Sequence, residues 1–348
     1  MIKVVVVDDS AFMRKAISSM LEKDPEITVV DTARDGEDGV EKVRRHDPDV
    51  VTMDIEMPRM DGLTALRRIM MEMPRPVLMI SSLTTEGAEA TLKAMEYGAV
   101  DYISKKLSMV SLDIVRIEDE LRAKVKAVAK RKIRPTRLKA RATTVRMELP
   151  SERPAGRQTR DVVAIGVSTG GPPAVQKILN SLPAEFPAPI LIAQHMPKAF
   201  TGPFAKRLDT TSPLKVKEAE TGDALRPGYV YISPGGSHLI MTQRKGRLEA
   251  VVTAEPADAL YKPSANVLVS SVASSMGSRA LAVILTGMGS DGAEGVKDLK
   301  AKGGRALAQS DASCVVYGMP KAIVDANLAD EVVDLDDMAQ AMYSSLFK

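Results

Sequence analysis

The sequence contains a single cysteine, Cys314, and no stretch of 18 or more apolar residues. One cysteine excludes a disulfide within the chain, and without a long apolar stretch we expect no membrane-spanning segment. The first apolar stretch, IKVVVV, is short, ends at Asp8 and Asp9, and has no small-residue cleavage site, so we expect no secretory signal. These absences predict a cytoplasmic protein, with Cys314 buried in the apolar stretch SCVVYG.

Basic residues are concentrated in one part of the chain. Residues 122–160 hold 14 Lys and Arg against two Glu, a net charge of +12, so the rest carries −9 of the total of +3. Three prolines and few large apolar residues there predict a flexible linker, residues 126–160, between domains at 1–125 and 161–348. No helix-turn-helix or zinc-ligand spacing accompanies it, so we expect no nucleic-acid binding.

Short apolar runs alternate with helical patterns through residues 1–125. The runs are IKVVVVD, TVVDTA, DVVTMD, PVLMIS and DYIS, each followed by a predicted helix. Five such units predict an α/β domain with a doubly wound parallel sheet. Ligands of these sheets bind at the carboxyl ends of the strands.

Three acids, Asp8, Asp9 and Asp54, fall at predicted strand ends, together with Ser81 and Lys105. Carboxylates that converge in this way repel one another unless a cation lies between them, and a small oxygen-ligand set suits Mg²⁺. A carboxylate beside Mg²⁺ can also attack a phosphoryl group. Each acid taken alone is also typical of a helix N-cap or loop, and Asp9 fits that description. The location of all five residues at one edge makes this interpretation less favourable.

The stretches VVVDDSAFMRK, DVVTMDIEMPRMDG, MISS and DYISKK together resemble the receiver domains of two-component response regulators. The resemblance implies a (βα)5 fold and phosphorylation of Asp54 by a histidine kinase. It assigns Mg²⁺ binding to Asp8, Asp9, Asp54 and the backbone carbonyl of Glu56, and the switch to Ser81, Tyr102 and Lys105. Receivers usually have proline after this lysine, whereas Lys106 stands here.

From residue 161 the alternation of strand and helix patterns resumes. We predict a second doubly wound, mostly parallel α/β domain with an antiparallel excursion over residues 229–254. The stretch GVSTG, around Ser168, matches the G-x-S-x-G pattern that exposes a nucleophilic serine at a sheet edge. The pattern is short and occurs by chance.

A nucleophilic serine needs a base and an orienting acid. The chain has three histidines, of which His195 and His238 both follow predicted strands, and their spacing alone does not choose between them. Asp291, after the strand ALAVILTG, is the best-placed acid. In chain order this is Ser-His-Asp, unlike the Ser-Asp-His order of α/β-hydrolases.

An alternative interpretation treats GVSTGGP as a phosphate-binding turn. Its glycines do not form G-x-G-x-x-G, and no G-K-[ST] follows, which disfavours a nucleotide site.

Seven stretches in order, IGVSTGGP, AQHMP, TGPFAKRL, YISPGGSHL, PSANVL, LTGMGSDGAEG and SCVVYGMP, resemble the catalytic domain of chemotaxis protein-glutamate methylesterases. The resemblance implies Ser168 as nucleophile, His195 as general base and acid, and Asp291 as the orienting carboxylate. It places Thr169 and Met288 in the oxyanion region and gives His238 a supporting or structural role. The region of Thr201 and Arg207 would line the substrate cleft.

By this resemblance, the protein would demethylate glutamate methyl esters on methyl-accepting chemoreceptors, with receptor-glutamine deamidation as a second activity. Phosphorylation would regulate it, Mg²⁺ would serve only the receiver, and ester hydrolysis would need no cofactor or insertion into the membrane. The other class weighed is a phosphorylation-dependent regulator with a non-catalytic or DNA-binding output. A DNA-binding output would need a helix-turn-helix, and a non-catalytic one would not need Ser168, His195 and Asp291 together.

Overall fold

A computed structural model of the protein describes residues 1–105, 111–129, 156–244 and 246–348, without the side chains of residues 111–116. The chain divides into two compact units, Met1–Thr143 and Thr144–Lys348. Most of the predicted linker, and Lys106, lie outside the described residues, so the domain limits stay predictions. Across the described parts of the chain, no helix combines the length and apolar character needed to cross a lipid bilayer.

Five parallel strands, each followed by a helix, form the first unit. Their order in the sheet is β2-β1-β3-β4-β5, which confirms the predicted doubly wound fold. The strands are β1 Ile2–Val7, β2 Ile27–Ala33, β3 Val50–Asp54, β4 Val77–Ser81 and β5 Asp101–Ser104. The helices are α1 Ala11–Glu22, α2 Gly36–His46, α3 Gly62–Glu72, α4 Thr85–Glu96 and α5 Ser111–Ala129.

Side-chain caps set where the first four helices begin. Ser10, Asp35, Asp61 and Thr84 each accept a hydrogen bond from a backbone N–H in the first turn of the next helix. The buried strands, such as β1 with four fully buried valines, therefore end in short loops before capped helices. Because all five strands are parallel, their carboxyl ends and the loops that follow them lie at one edge of the sheet, here called the functional edge.

The second unit is built around seven parallel strands in the order β14-β13-β12-β6-β7-β9-β8. The strands are β6 Val162–Val167, β7 Ile190–Gln194, β8 Lys215–Glu218, β9 Tyr229–Ile232, β12 Ala280–Ile284, β13 Arg305–Gln309 and β14 Glu331–Val333. The helices are α6 Gly171–Ser181, α7 Lys198–Thr211, α8 Ala265–Met276, α9 Ala293–Ala301, α10 Met319–Asp325 and α11 Met338–Ser345.

The antiparallel excursion is smaller than the sequence pattern indicates. Only β10 (His238–Arg244) and β11 (Arg247–Thr253) form the hairpin, as a separate two-stranded sheet. Strand β9 instead pairs in parallel with β7 and β8, and so it extends the main sheet beyond β7. The fold class itself, mostly parallel α/β with a small hairpin, is as predicted.

Strand β6 lies at the centre of the second sheet, between β12 and β7. The chain moves outward from β6 toward β7 on one side and returns through β12 on the other. The strand order thus reverses at β6, and a crevice at such a switch point is where α/β proteins bind ligands. Ser168 follows β6, His195 follows β7, and Asp291 lies in the loop after β12.

Candidate active site and phosphoacceptor site

Ser168 lies at a tightly packed turn between β6 and α6. The chain passes through Gly170, which has a left-handed φ of 74°, before the helix begins at Gly171. A Cβ atom at Gly287 would lie 2.7 Å from the Cβ of Ser168. This close approach requires glycine at position 287 and holds the half-buried serine against the end of β12.

His195 lies beside Ser168 because β6 and β7 are paired in register. Val167 is opposite Gln194, and the backbone N–H of His195 donates to the carbonyl of Val167 at 3.0 Å. The buried Gln194 amide also donates to the carbonyls of Ser168, at 3.0 Å, and His195, at 3.3 Å. Gln194 therefore ties together the backbones of the two candidate catalytic residues.

The Asp291 carboxylate lies at the N-terminus of α8. It accepts hydrogen bonds from the Ser264 hydroxyl at 2.9 Å and from the backbone N–H groups of Ala265, at 2.6 Å, and Asn266, at 3.0 Å. Burial alone would raise the pKa of this carboxyl, but the His195 hydrogen bond and the helix N–H groups outweigh burial and lower it. Asp291 is therefore an ionised acceptor.

His195 Nε2 lies 2.7 Å from Asp291 Oδ2. An ionised carboxylate only accepts, so Nε2 carries the proton in this pair and the neutral ring keeps its lone pair on Nδ1. Nδ1 is buried and has no hydrogen-bond partner among the described residues. The nitrogen that bonds the carboxylate is therefore Nε2, and Nδ1 is left to accept a proton.

Candidate oxyanion donors flank the serine. The N–H of Ser168 itself donates to the carbonyl of Thr286 at 3.0 Å and is already used. Within the described ranges, the N–H groups of Thr169 and Met288 have no acceptor. The Thr286 hydroxyl donates to the carbonyl of Thr169 at 2.9 Å, which fixes the turn that carries one of these donors.

His238 is fully buried behind Asp291 rather than beside Ser168. Its Nδ1 accepts from the backbone N–H of Ser264 at 3.2 Å, and its Nε2 is 3.3 Å from the carbonyl of Pro256. Burial lowers the pKa of its imidazole. Thr201 is also fully buried, and its hydroxyl bonds Glu218 and the N–H of Gly235, so it does not face a substrate.

In the first unit, the carboxylates of Asp8, Asp9 and Asp54 lie together at the functional edge. One oxygen from each falls within 4.8 Å of the others. Lys105 Nζ lies 2.6 Å from Asp54 and 3.3 Å from Asp8. Burial, reinforced by the Asp8 charge, raises the pKa of Asp54 even though Lys105 opposes this shift.

This donor set fits a divalent cation. Asp8 and Asp54 are almost completely buried, and one lysine does not neutralise both charges. Hard oxygen ligands with an exposed third carboxylate, Asp9, suit Mg²⁺, which keeps part of its water shell. Glu56 lines the same cavity as Asp9, which agrees with a backbone ligand at that position.

Two of the predicted switch residues, Ser81 and Lys105, lie close to Asp54, and Lys105 bonds it directly. Asp54, Ser81 and Lys105 line a small cavity of about 70 Å³. The Ser81 hydroxyl accepts from Thr91 Oγ1 at 2.6 Å and lies 3.2 Å from the carbonyl of Gly87. Tyr102 is buried, and the Lys124 ammonium lies 5.3 Å from its ring centroid.

Several residues of the two sites escaped the sequence analysis. Ser264, Gln194 and Tyr261 border the candidate triad, and Thr91 holds Ser81. Ser264 falls in the stretch PSANVL and Gln194 in AQHMP, both noted for their family resemblance. For Tyr261 the sequence offers no signal, because its contact with His195 joins segments far apart in the chain. For Thr91 it offers none because the contact with Ser81 depends on how α4 packs on β4.

Comparison with known proteins agrees with both halves of the chain. The CheB methylesterase family matches residues 163–342, and the response regulator receiver domain matches residues 4–115. The chain belongs to the CheB methylesterase family, as its sequence motifs predict, and carries a receiver domain in front.

Similar proteins span the whole chain. A protein-glutamate methylesterase/protein-glutamine glutaminase 2 of Nitratidesulfovibrio vulgaris is 68% identical, covering 100% of both chains. A protein-glutamate methylesterase/protein-glutamine glutaminase of Pyrococcus horikoshii is 43% identical over 99% of this chain and 94% of its own. The crystal structure of the Thermotoga maritima CheB methylesterase catalytic domain is 39% identical, with a TM-score of 0.52, covering 53% of this chain and 98% of that one.

Proposed function

We propose that the protein is a phosphorylation-regulated serine hydrolase that removes methyl groups from glutamate methyl esters of chemoreceptors. One observation carries the proposal: the His195–Asp291 pair, anchored on the N-terminus of α8, adjoins Ser168 at the switch point of the sheet. A partly buried imidazole, oriented by a carboxylate and next to an accessible serine, is suited to acyl transfer. The names of the relatives at 68% and 43% identity support this substrate class.

The reaction begins when Nδ1 of His195 takes the proton of the Ser168 hydroxyl. The serine oxygen attacks the ester carbonyl carbon, and the negative charge on the tetrahedral oxygen is stabilised by the N–H groups of Thr169 and Met288. As the intermediate collapses, methoxide leaves with the proton from Nδ1 as methanol. A water molecule then gives a proton to Nδ1 and cleaves the glutamyl-serine ester, which restores Ser168 and releases a glutamate side chain.

The same machinery accounts for deamidation of receptor glutamines as a second proposed activity. An amide nitrogen is a poorer leaving group than methoxide and depends more strongly on protonation by the imidazolium. Asp291 stabilises that imidazolium through Nε2, so both activities would rest on the same pair.

The test is release of methanol from receptor-containing membranes whose glutamates carry labelled methyl groups. We expect Ser168→Ala to abolish release. Ser181→Ala, at the far end of the helix α6 that follows Ser168 and with its hydroxyl on the carbonyl of Lys177, is the matched control and should retain full activity. Wild-type rates in Ser168→Ala would exclude this serine as the nucleophile and leave a non-catalytic output as the explanation.

Regulation is proposed to act through Asp54, with a chemotaxis histidine kinase as phosphodonor. Mg²⁺ held by Asp8, Asp9, Asp54 and the Glu56 carbonyl would supply charge compensation for the phosphoryl oxygens. Lys105 and Ser81 line the cavity that such a group would enter. If Ser81 turns toward it, the bonds to Thr91 and Gly87 must break, and this couples the site to α4.

The regulatory proposal predicts faster methanol release after treatment with acetyl phosphate and Mg²⁺. Asp54→Asn should lose this response and keep the basal rate, because it lies in the other compact unit from Ser168. An unchanged response in Asp54→Asn would contradict the role of this aspartate.

A further inference from the structure

Tyr261 lies flat against the imidazole of His195. The two ring centroids are 4.3 Å apart and the ring planes differ by 13°. Tyr261 is half-buried and belongs to the segment between β11 and α8. Three residues later the same segment supplies Ser264, which bonds Asp291.

The segment around Tyr261 is held on both sides. The carbonyl of Lys262 accepts from the N–H of Gly236 at 3.1 Å, and the N–H of Ser264 donates to the buried His238 at 3.2 Å. The phenol hydroxyl lies against the loop after β12, where a Cβ atom at Gly289 would be 3.3 Å from it. The tyrosine ring is therefore a fixed surface rather than a loose loop side chain.

The imidazole needs such a surface. Its hydrogen bond to Asp291 fixes Nε2 but leaves the ring free to pivot about that bond, and pivoting would change the direction in which the Nδ1 lone pair points. A parallel aromatic ring removes this freedom because it defines the imidazole plane. The electron-rich face of the phenol also attracts the imidazolium that forms when Nδ1 takes the serine proton.

We propose that Tyr261 is a positioning residue, which holds the imidazole of His195 in the plane that aims Nδ1 at Ser168 and stabilises its protonated form. The proposal rests on the serine hydrolase function proposed above. It concerns the ring of Tyr261 and not its hydroxyl, and this separates it from a role in binding substrate.

Kinetics of three variants of the full chain test the ring. Tyr261→Leu should lower kcat about tenfold with little change in KM, because orientation and the cation–π contact act on the transition state. Tyr261→Phe keeps the aromatic ring, so its kcat should stay within about twofold of the wild-type value. Tyr229→Leu, which removes a ring stacked on Tyr231 in β9, is the control for loss of an aromatic residue and should leave kcat unchanged.

Nuclear magnetic resonance tests the stack without relying on activity. The chain has three histidines and seven tyrosines, so selective labelling gives few signals to assign. In the inactive Ser168→Ala protein we expect nuclear Overhauser contacts between the rings of His195 and Tyr261, and an upfield ring-current shift of the His195 protons. The shift should persist with Tyr261→Phe and disappear with Tyr261→Leu.

Three results would overturn the proposal: no ring contacts in the Ser168→Ala protein, equal damage to kcat by Phe and Leu, or an effect of Leu confined to KM. If Tyr261→Leu does not fold, as judged by circular dichroism, the Phe kinetics and the ring contacts still decide. Failure of the hydrolase function would appear separately, as methanol release that survives Ser168→Ala.

Discussion

His195 and Asp291 are 96 residues apart in the chain, yet Nε2 of the imidazole lies 2.7 Å from the carboxylate. The carboxylate is at the same time the anion at the N-terminus of α8, where Ala265 and Asn266 donate to it. The residue that orients the imidazole is thus anchored by a helix rather than by a loop alone. This places a fixed negative charge beside Nε2, on the side of the ring away from Nδ1.

Asp291→Asn should reduce kcat for methanol release about 10⁴-fold, the loss seen for the equivalent substitution in a serine protease. The new amide can turn its NH₂ group toward Nε2 and force the proton onto Nδ1, which then cannot accept the serine proton. Steady-state kinetics with full-length protein measure this loss. A decrease smaller than about tenfold would mean that another group orients His195.

Ser264→Ala should weaken both folding and catalysis. The hydroxyl caps α8 by accepting from Val267 and also donates to Asp291. We expect a loss of about 1 kcal/mol in unfolding free energy and a decrease of about tenfold in kcat. Ser270→Ala, on the same helix with its hydroxyl on Asp298, is the control. Equal effects from both substitutions would argue against a special role for Ser264.

His238 should make the stability of the catalytic unit depend on pH. Burial lowers the pKa of the His238 imidazole in the folded protein. In addition, its Nδ1 accepts the Ser264 N–H, so a proton on Nδ1 would point at another N–H donor and break this hydrogen bond. Because the unfolded chain binds this proton more readily, stability is complete above the unfolded pKa of about 6.5 and falls as pH drops toward the folded pKa.

Denaturant unfolding of wild type and His238→Gln between pH 5 and 8, roughly the range in which histidine titrates, tests this prediction. The difference in stability between the two proteins should shrink as the pH falls. A constant difference would show that His238 does not titrate on unfolding. His238→Gln should also reduce kcat far less than His195→Ala, since His238 contacts the backbone of Ser264 and not the candidate nucleophile Ser168.

Removal of Mg²⁺ should prevent labelling of Asp54 by a phosphodonor. The two negative charges of the buried carboxylates of Asp8 and Asp54 exceed the single positive charge of Lys105. Without Mg²⁺, a phosphoryl group would add further negative charge with nothing to compensate it. Labelling with radioactive acetyl phosphate should require Mg²⁺, stop in excess EDTA, and be absent in Asp54→Asn. Equal labelling with and without EDTA would contradict the metal role of the three acids.

The sequence alone determined the fold class and the family. The apolar runs at residues 4–7, before Asp8, and 162–167, before Ser168, are short, wholly apolar and followed by helical patterns. This pattern is a local property of buried parallel strands. The motifs around Asp54, Ser168 and Asp291 lie at the ends of predicted strands. Because ligands of parallel sheets bind at the carboxyl ends of the strands, the sequence alone was enough to predict that these residues belong to sites.

The tertiary structure decided what depends on contacts between distant segments. His195 and His238 could not be separated by their spacing from predicted strands. In the structure only His195 directly follows β7, the strand paired with β6, while His238 begins the separate hairpin. The stacking of Tyr261 on His195 is likewise invisible in the sequence. Periodicity reports which face of an element is buried, whereas the partner of a side chain is set by strand order and loop packing, which only the folded chain brings together.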